Sequence, residues 1–363
     1  MSGTKLTIKK SKNRVADLLK SLRYGNKNVI LYGAGYCGHE TIAQLRKHNI
    51  NIAAVCDDNR VGEVIEGIEI SDISRVQLDD NTVLIITAGY KDKMLKKVKA
   101  LGLFNLYIDI DFGRYDEEKE NYDYFMEHIE QLETVYNLLA DQRSKDIFQS
   151  LINYRISRNS DFLNGLEEHN QYFPEEESLN LKSAQHVFCD LGAYDGDTIA
   201  EFLRYVDGKY EKIIAIEVND KNFDRLAARY GMLKNIELHK VGVYREKARI
   251  PFTFDGSAKN SFVSEDGGDY VDVNSLDNIL NGQKVTFIKM DVEGAEYDAV
   301  IGGANVIRNF LPVMAISIYH KVEDLYRIAL KVEDLCPRKY SYYIRHYSPT
   351  VIETVLYAIP ERN

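Results

Sequence analysis

Twice in this chain an apolar run of strand-forming residues breaks at a glycine turn and continues as a helix: NVILYGAGYCG from residue 28 and HVFCDLGAYDG from residue 186. A strand that turns through glycine into a helix comes back parallel to itself by a right-handed crossover, so each run opens a parallel α/β sheet of its own. After the first, INIAAVCDDN, NTVLIITAG and NLYIDIDF read as further strands, separated by the helices CGHETIAQLRKH and KDKMLKKVKALG and by a loop around Gly62 and Gly67. After the second come the strands KIIAIEVND, IELHKVGVY, RIPFTFD, VTFIKMD and PVMAISIYH, and YSYYIRHYS with ETVLYAIP forms a closing antiparallel hairpin. A polar, glycine-rich loop is expected over 255–270. Between the two series, DYFMEHIEQLETVYNLLADQRSKDIFQSLINYRISR has apolar residues at helical spacing and no strand signal.

The expectation is an α/β chain of two Rossmann-like domains, 25–112 and 181–363, joined by a helical linker over 113–180 that offers a surface for a homodimer. The length of 363 residues and 45% apolar content allow each half its own core. A formal net charge of -10 argues against nucleic acid as a partner, because phosphate binding needs clustered Lys and Arg. The basic stretches KLTIKKSKNR and KDKMLKKVK read as a solvated tail and a solvated helix face. Cys37, Cys56, Cys189 and Cys336 form no C-x-x-C pair, so neither a zinc site nor a redox pair is suggested. The first residues lack the apolar stretch of a signal peptide, and no run approaches the ~20 apolar residues of a membrane span. A soluble cytoplasmic protein is expected. The 25 Tyr suggest no function by themselves.

The two glycine turns ask for different ligands. GAGYCG places Gly33, Gly35 and Gly38 in the spacing that permits a tight turn, close approach of a phosphate and close helix packing. Asp57 follows roughly 20 residues on, where a ribose-binding acid belongs. A dinucleotide or nucleotide sugar suits that turn, and a tightly packed turn with no ligand is the plain alternative. In CDLGAYDG, by contrast, Asp190 precedes Gly192 and Asp195 precedes Gly196. Carboxylates there would repel pyrophosphate but suit S-adenosylmethionine, which carries a sulfonium, an ammonium and no phosphate. Glu217 ends the next strand, placed to accept both ribose hydroxyls; the plain alternative has Asp190 capping the turn and Glu217 capping the next helix.

A third feature is FIKMDVEGAE, where Asp291, Glu293 and Glu296 crowd the end of an apolar strand. Strand ends are where open α/β sheets collect ligands, and such acids must be solvated, paired or ligand-bound. Together with Asp190, Gly192, Gly196 and Glu217, this stretch makes residues 186–359 resemble the FkbM family of S-adenosylmethionine-dependent methyltransferases, DVEGAE being the most specific part. SLDNIL, SIYHKVEDL and the closing YYIRHYS…ETVLYA are similar to the family too; Val322 stands where a proline is commoner.

The resemblance implies a class I methyltransferase fold with a seven-stranded sheet and methylation of a hydroxyl oxygen. The cofactor-facing set then expected is Asp190, Gly192, Ala193, Tyr194, Asp195 and Gly196, with Glu217, Val218, Gly242 and Asp291. The first domain, through YGAGYCG and AAVCDDN, is similar to domains attached to bacterial sugar-modifying enzymes. That implies a sugar or glycan acceptor, with a nucleotide-linked form among the possibilities, and a place in polysaccharide biosynthesis.

Methyl transfer needs alignment of the acceptor oxygen and removal of its proton. Candidates at the strand ends are Asp291, Glu293, His320 and the pair Arg345–His346. His320 is the expected general base, since a neutral imidazole suits the task. Its alternative roles are capping the helix VEDLYRI or bonding to Asp324. Asp291 is expected to receive the acceptor hydroxyl or the methionine ammonium, Glu293 to be fixed by turn amides, and Glu296 to start the next helix. A divalent cation on Asp291, Glu293 and His320 is the rival mechanism; the leading reading holds no metal. Lys259 and Asn260 are further acceptor contacts. A non-catalytic cofactor-binding sensor and an NAD-dependent oxidoreductase using GAGYCG remain the other function classes.

Overall fold

The computed structural model describes residues 5–25, 27–76, 81–87, 92–102, 107–108, 112, 114–175, 185–254, 261–263 and 269–361. The chain divides into two compact units: Met1–Ile129 with Gln149–Glu167 and Ser348–Ile352, and Glu130–Phe148 with Glu168–Tyr347 and Glu353–Asn363.

The first unit opens with helix α1 (Arg14–Gly25), capped by Asn13, whose Oδ1 accepts from the amides of Val15 and Ala16 at 3.1 Å. Its Val15, Leu18, Leu19 and Leu22 share one face and are buried with Val29, Leu31, Ile42 and Leu45. The preceding stretch, read from sequence as a solvated tail, is tied down: Leu6 is buried, and the amides of Thr7 and Lys9 donate to Gln149 Oε1 and Asn153 Oδ1 at 2.7 Å. Then follow β1 (Asn28–Tyr32), α2 (Tyr36–Lys47), β2 (Ile52–Cys56), β3 (Val64–Ile65), β4 (Ile68–Ser71), β5 (Thr82–Ile86), α3 (Asp92–Ala100) and β6 (Tyr107–Ile108). The sheet order is β3-β4-β2-β1-β5-β6, parallel except for the β3/β4 hairpin. That hairpin occupies the segment read as a loop, because Glu66 and Gly67, both at positive φ, make a tight two-residue turn instead of an irregular connection.

The helical stretch is α4 (Tyr122–Glu127), α5 (Ile129–Leu138) and α6 (Gln142–Ser157), and its residues are shared between the units. In the first unit, Arg155 and Arg158 close on the buried carboxylate of Glu120, with Arg155 Nη1 2.7 Å and Arg158 Nη2 2.6 Å from Oε1.

The second unit contains β7 (Val187–Leu191), α7 (Asp197–Tyr205), β8 (Lys212–Glu217), α8 (Asp220–Tyr230), β9 (Ile236–Lys240), β10 (Gly242–Tyr244), β11 (Ala248–Phe254), β12 (Ser261–Val263) and β13 (Asp269–Ser275). It continues with α9 (Leu276–Leu280), β14 (Phe287–Met290), α10 (Glu296–Gly302), α11 (Ala304–Phe310), β15 (Val313–Ser317), α12 (Asp324–Leu335), β16 (Tyr340–His346) and β17 (Thr354–Pro360). Seven strands form one sheet in the order β16-β17-β15-β14-β7-β8-β9, in which β17 runs antiparallel to both neighbours. The edge strand β16 is covered: the amide of Ala140 donates to Tyr342 O at 2.8 Å and Ser144 Oγ accepts from the amide of Ile344 at 2.9 Å. Phe173, Phe188, Phe202 and Phe287 fill the core beneath, with the rings of Phe188 and Phe202 stacked at 4.3 Å.

Two local expectations change, and the helical stretch after β14 divides. IELHKVGVY is two strands in different sheets, since β10 leaves β9 to join a four-stranded sheet ordered β10-β13-β11-β12. Strands β12 and β13 enter the span 255–270, and Lys259 and Asn260 lie outside the described residues. EYDAVIGGANVI breaks into α10 and α11 at its glycine pair, where a Cβ on Gly302 would stand 2.1 Å from Tyr244 O.

Candidate functional site

The second glycine turn follows directly from strand pairing. Gly192 has φ +77° and a Cβ there would lie 1.8 Å from Asp291 O, so only glycine lets β7 end against the end of β14. The amides of Gly192 and Ala193 both donate to Ile216 O at 3.0 Å, which holds the turn beside β8. Tyr194, at φ 50°, turns its amide to Glu217 Oε2 at 2.9 Å, and the amide of Asn219 donates to Glu217 Oε1 at 2.7 Å. Helix α8 is capped by Asn219, whose Oδ1 accepts from Asn222 at 3.1 Å. Burial pushes the Glu217 carboxyl up to about 7, against the pull of those two amides.

Asp190 is fully buried and lies opposite Lys289 in the register of β7 and β14. Side chains of paired residues share a face, and here Lys289 Nζ sits 3.1 Å from Asp190 Oδ1 and donates to Gly192 O at 2.7 Å. Burial pushes the Asp190 carboxyl up to about 6 despite that ammonium. Burial also works to lower Lys289, but Asp190 and Asp291 overcome it and keep the ammonium charged. Sequence reading missed Lys289; its signal was a lone cation inside an apolar strand.

Other members of the expected cofactor set have different surroundings. Asp195 pairs with Arg229 Nη1 at 2.9 Å. A Cβ on Gly196, φ +88°, would meet the Tyr230 ring at 2.3 Å, so this glycine seats α7 against α8. Gly242 sits close to Val218 and Val273 at the start of β10.

At the end of β14 the acids gather around His320, which lies three residues beyond β15. His320 Nε2 is 3.4 Å from Asp291 Oδ1 and 3.3 Å from Glu293 Oε2, while Nδ1 is 2.9 Å from Glu296 Oε1. Both ring nitrogens face carboxylates, so the role of a free general base expected from sequence would require His320 to change partners. Glu296 does start α10, but its carboxylate is also fully buried, accepts from the amide of Val292 at 2.9 Å, and is held low by His320 against burial. Asp324 receives the amide of Lys321 at 3.1 Å and Arg327 Nε at 2.8 Å, and its carboxyl is pushed up to about 6 by burial and by Glu296.

Tyr172 Oη donates to Asp291 Oδ2 at 2.9 Å and Tyr319 Oη to Asp291 Oδ1 at 3.4 Å. Glu353 completes the acidic surround, its carboxyl raised by burial and then by Asp291. Tyr172 comes from the segment read as a linker, and no periodic signal marks it. Asp291, Glu296 and His320 each offer one metal-ligand atom within 4.8 Å of the others.

Arg345 and His346 do not join this group. Arg345 is buried, with Nη2 2.7 Å from Asp141 Oδ2 and Nη1 2.9 Å from Ser144 Oγ. His346 Nδ1 lies 2.8 Å from Thr354 Oγ1. These bonds tie β16 to Asp141, Ser144 and Thr354.

In the first unit, Gly33 (φ +120°) presses on Thr87 O and Gly38 on Gly33 O, with built Cβ atoms at 2.6 and 2.5 Å. Gly35 has nothing within 4 Å of its Cβ position. Asp57 accepts from the amides of Ala34 and Asn59 at 2.9 Å, and Arg60 Nη1 donates to Ala34 O. Among the described residues no helix is long and apolar enough to cross a membrane.

Residues 190–338 match the Methyltransferase FkbM domain family. No curated protein matches the chain. Among solved structures, the chain is similar to the methyltransferase FkbM of Methylobacillus flagellatus KT, at 23% identity and a TM-score of 0.71 over 96% of this chain and 94% of that one. Fibrillarin of Aeropyrum pernix, solved with natively bound S-adenosyl-L-methionine, aligns at 12% identity and a TM-score of 0.34 over 50% and 70%. A precorrin-6y C5,15-methyltransferase of Geobacter metallireducens GS-15 aligns at 9% identity and 0.33 over 55% and 96%. The two glycine turns thus open two Rossmann-like sheets; the second is the seven-stranded class I methyltransferase arrangement, and residues 190–338 within its unit match the Methyltransferase FkbM domain family.

Proposed function

We propose that this protein transfers a methyl group from S-adenosylmethionine to a hydroxyl oxygen of a sugar or glycan-related acceptor. The observation that carries the reading is Glu217: each of its oxygens is braced by a backbone amide, from Tyr194 and from Asn219, beside the Gly192 turn. A carboxylate so oriented keeps lone pairs for the two ribose hydroxyls of an adenosine. The neighbouring Asp190–Lys289 pair leaves no spare positive charge for a phosphate. The acceptor belongs at the end of β14, where Asp291 is positioned by Tyr172 and Tyr319 to receive a hydroxyl. Transfer breaks the S–CH3 bond as O–CH3 forms, leaving a neutral thioether and releasing the hydroxyl proton.

The first unit supports a nucleotide-linked ligand. Gly33 and Gly38 are required by packing, whereas Gly35 faces open space, as a glycine does where a ligand comes close to the backbone. Asp57 would then hold the ribose.

Calorimetry with S-adenosylhomocysteine tests the main reading. Binding by the full chain that weakens strongly in Glu217→Ala supports it; no binding, or binding that ignores the substitution, overturns it.

A further inference from the structure

We propose that the His320 cluster is a binding site for a divalent cation of the Mg²⁺ or Mn²⁺ kind, with His320 Nε2, Asp291 and Glu293 as ligands and Glu296 orienting the imidazole from behind. Three observations carry it.

The first is geometry. Asp291 Oδ1 and Glu293 Oε2 stand 3.4 and 3.3 Å from the same nitrogen of His320. Ligand bonds of roughly 2.0–2.1 Å bring neighbouring ligand atoms to roughly 3 Å from one another, so each of these carboxylates already stands near ligand spacing from His320 Nε2. Asp291, Glu296 and His320 present ligand atoms within 4.8 Å of each other; Glu293 stands outside that set and would have to move in to complete the site.

The second is the support behind the ligands. A ligating imidazole commonly donates its other N–H to a carboxylate, which sets the tautomer and raises its basicity. Glu296 Oε1, 2.9 Å from His320 Nδ1, occupies that place. Tyr172 and Tyr319 similarly fix the Asp291 carboxylate. Asp291 and Glu293 keep 22% and 28% of their side-chain surface exposed, whereas His320 and Glu296 keep 1% and 0%. The open side therefore belongs to the carboxylates that would share an ion with an acceptor.

The third is charge. The second oxygen of Glu296 is buried and has no hydrogen-bond donor among the described residues. Among those residues, neither Asp291 nor Glu296 has a Lys or Arg within ion-pairing distance; both meet His320. One imidazole does not balance the two carboxylates of Asp291 and Glu296, and buried charge without compensation is costly. A doubly charged cation supplies the missing compensation. The two carboxylates of the donor set suit Mn²⁺ and Mg²⁺.

The role of the ion rests on the methyltransferase reading: bound to the acceptor oxygen, it makes the hydroxyl proton easier to lose to water before or during methyl transfer. The binding does not depend on that reading and is tested apart from it. Mn²⁺ is titrated into the full chain without cofactor, and the free ion is followed by its paramagnetic resonance signal. The expected result is one Mn²⁺ per chain, weakened at least tenfold in His320→Gln, in Asp291→Asn and in the half-exposed Glu293→Gln. Circular dichroism and denaturant unfolding of the same variants show that they remain folded. Absence of Mn²⁺ binding, or binding unchanged in all three variants, overturns the proposal. Mn²⁺ binding without adenosylhomocysteine binding sustains the cation site and removes the methyltransferase reading; the reverse removes the cation site alone.

Discussion

The two glycine turns of this chain are built alike and charged differently. In each, the first glycine presses on a backbone oxygen at the end of the neighbouring strand: Gly33 on Thr87, Gly192 on Asp291. In each, the acid ending the second strand accepts one amide from the turn and one from two residues further on: Asp57 from Ala34 and Asn59, Glu217 from Tyr194 and Asn219. The backbone bracing of the strand-end carboxylate is therefore common to both. What differs is the charge around it. The first turn has the Arg60 guanidinium on Ala34 O, and Lys97 bonded to Asp58 at the neighbouring strand end. The second has a buried acid, Asp190, neutralised by Lys289, and an acidic cluster beyond. On the proposed reading, the shared backbone geometry would suit a nucleoside, and the charges would discriminate between a phosphate and a sulfonium.

The largest contrast should come from the glycines. Gly192→Ala combines positive φ with overlap of a carbonyl oxygen and should cost about 4 kcal/mol or more of stability in denaturant unfolding. Gly35→Ala, at φ -84° with open space around it, should stay within about 0.5 kcal/mol. Equal losses would show that the turns are not packed as described.

The cations come next. Lys289→Met strands Asp190 in the core and should cost about 3–5 kcal/mol in the same unfolding measurement. Lys97→Met removes an ion pair to Asp58 whose side chains are 32% and 41% exposed, and should cost about 1 kcal/mol or less. A cost of similar size at both would mean that the buried pair is not an obligate one.

Binding separates the turns further. Glu217→Ala should weaken adenosylhomocysteine about 100-fold, as expected for two hydrogen bonds to a charged group, while Asp57→Ala leaves it within about twofold. Calorimetry on both variants decides the matter, and an Asp57 effect as large as the Glu217 effect would assign the cofactor to the wrong turn.

The smallest effect is on pH. Because burial raises Glu217 to about 7, its ionised, hydroxyl-accepting form is lost as pH falls through 7, and affinity should drop by up to about tenfold per pH unit below that. Glu217→Gln should flatten the profile. The same shift acts on the empty protein with the opposite consequence. A folded carboxyl raised above its unfolded value favours folding at low pH, and this contribution fades as pH rises from the ordinary carboxylate range to about 7.

Much of this architecture is written locally. Runs such as NVILYGAGYCG and HVFCDLGAYDG carry strand, turn and helix in adjacent residues, and a glycine at positive φ leaves a readable mark. The strand-end acids Asp57, Glu217 and Asp291 were legible for the same reason: a charge that closes an apolar run must meet solvent, a partner or a ligand. The small β3/β4 hairpin and the switch from β9 to β10 were not, since short strands carry too few residues to show a period.

The partners of the acids were decided by the tertiary structure alone. Lys289 meets Asp190 only because β14 pairs with β7 in one register. Glu296, read as the first residue of a helix, becomes the buried partner of His320 because the start of α10 meets the residues that follow β15. Arg345 and His346 looked like site residues at a strand end, yet the edge position of β16 turns them to Asp141, Ser144 and Thr354. Tyr172 reaches Asp291 across 119 residues of chain. The sequence by itself determined two mainly parallel α/β sheets and the strand ends where acidic side chains collect, because periodicity and turn geometry act between near neighbours. Which charges compensate one another was left to the packing of distant segments, because Coulomb and hydrogen-bond energies depend on distance in space, and no local pattern encodes that distance.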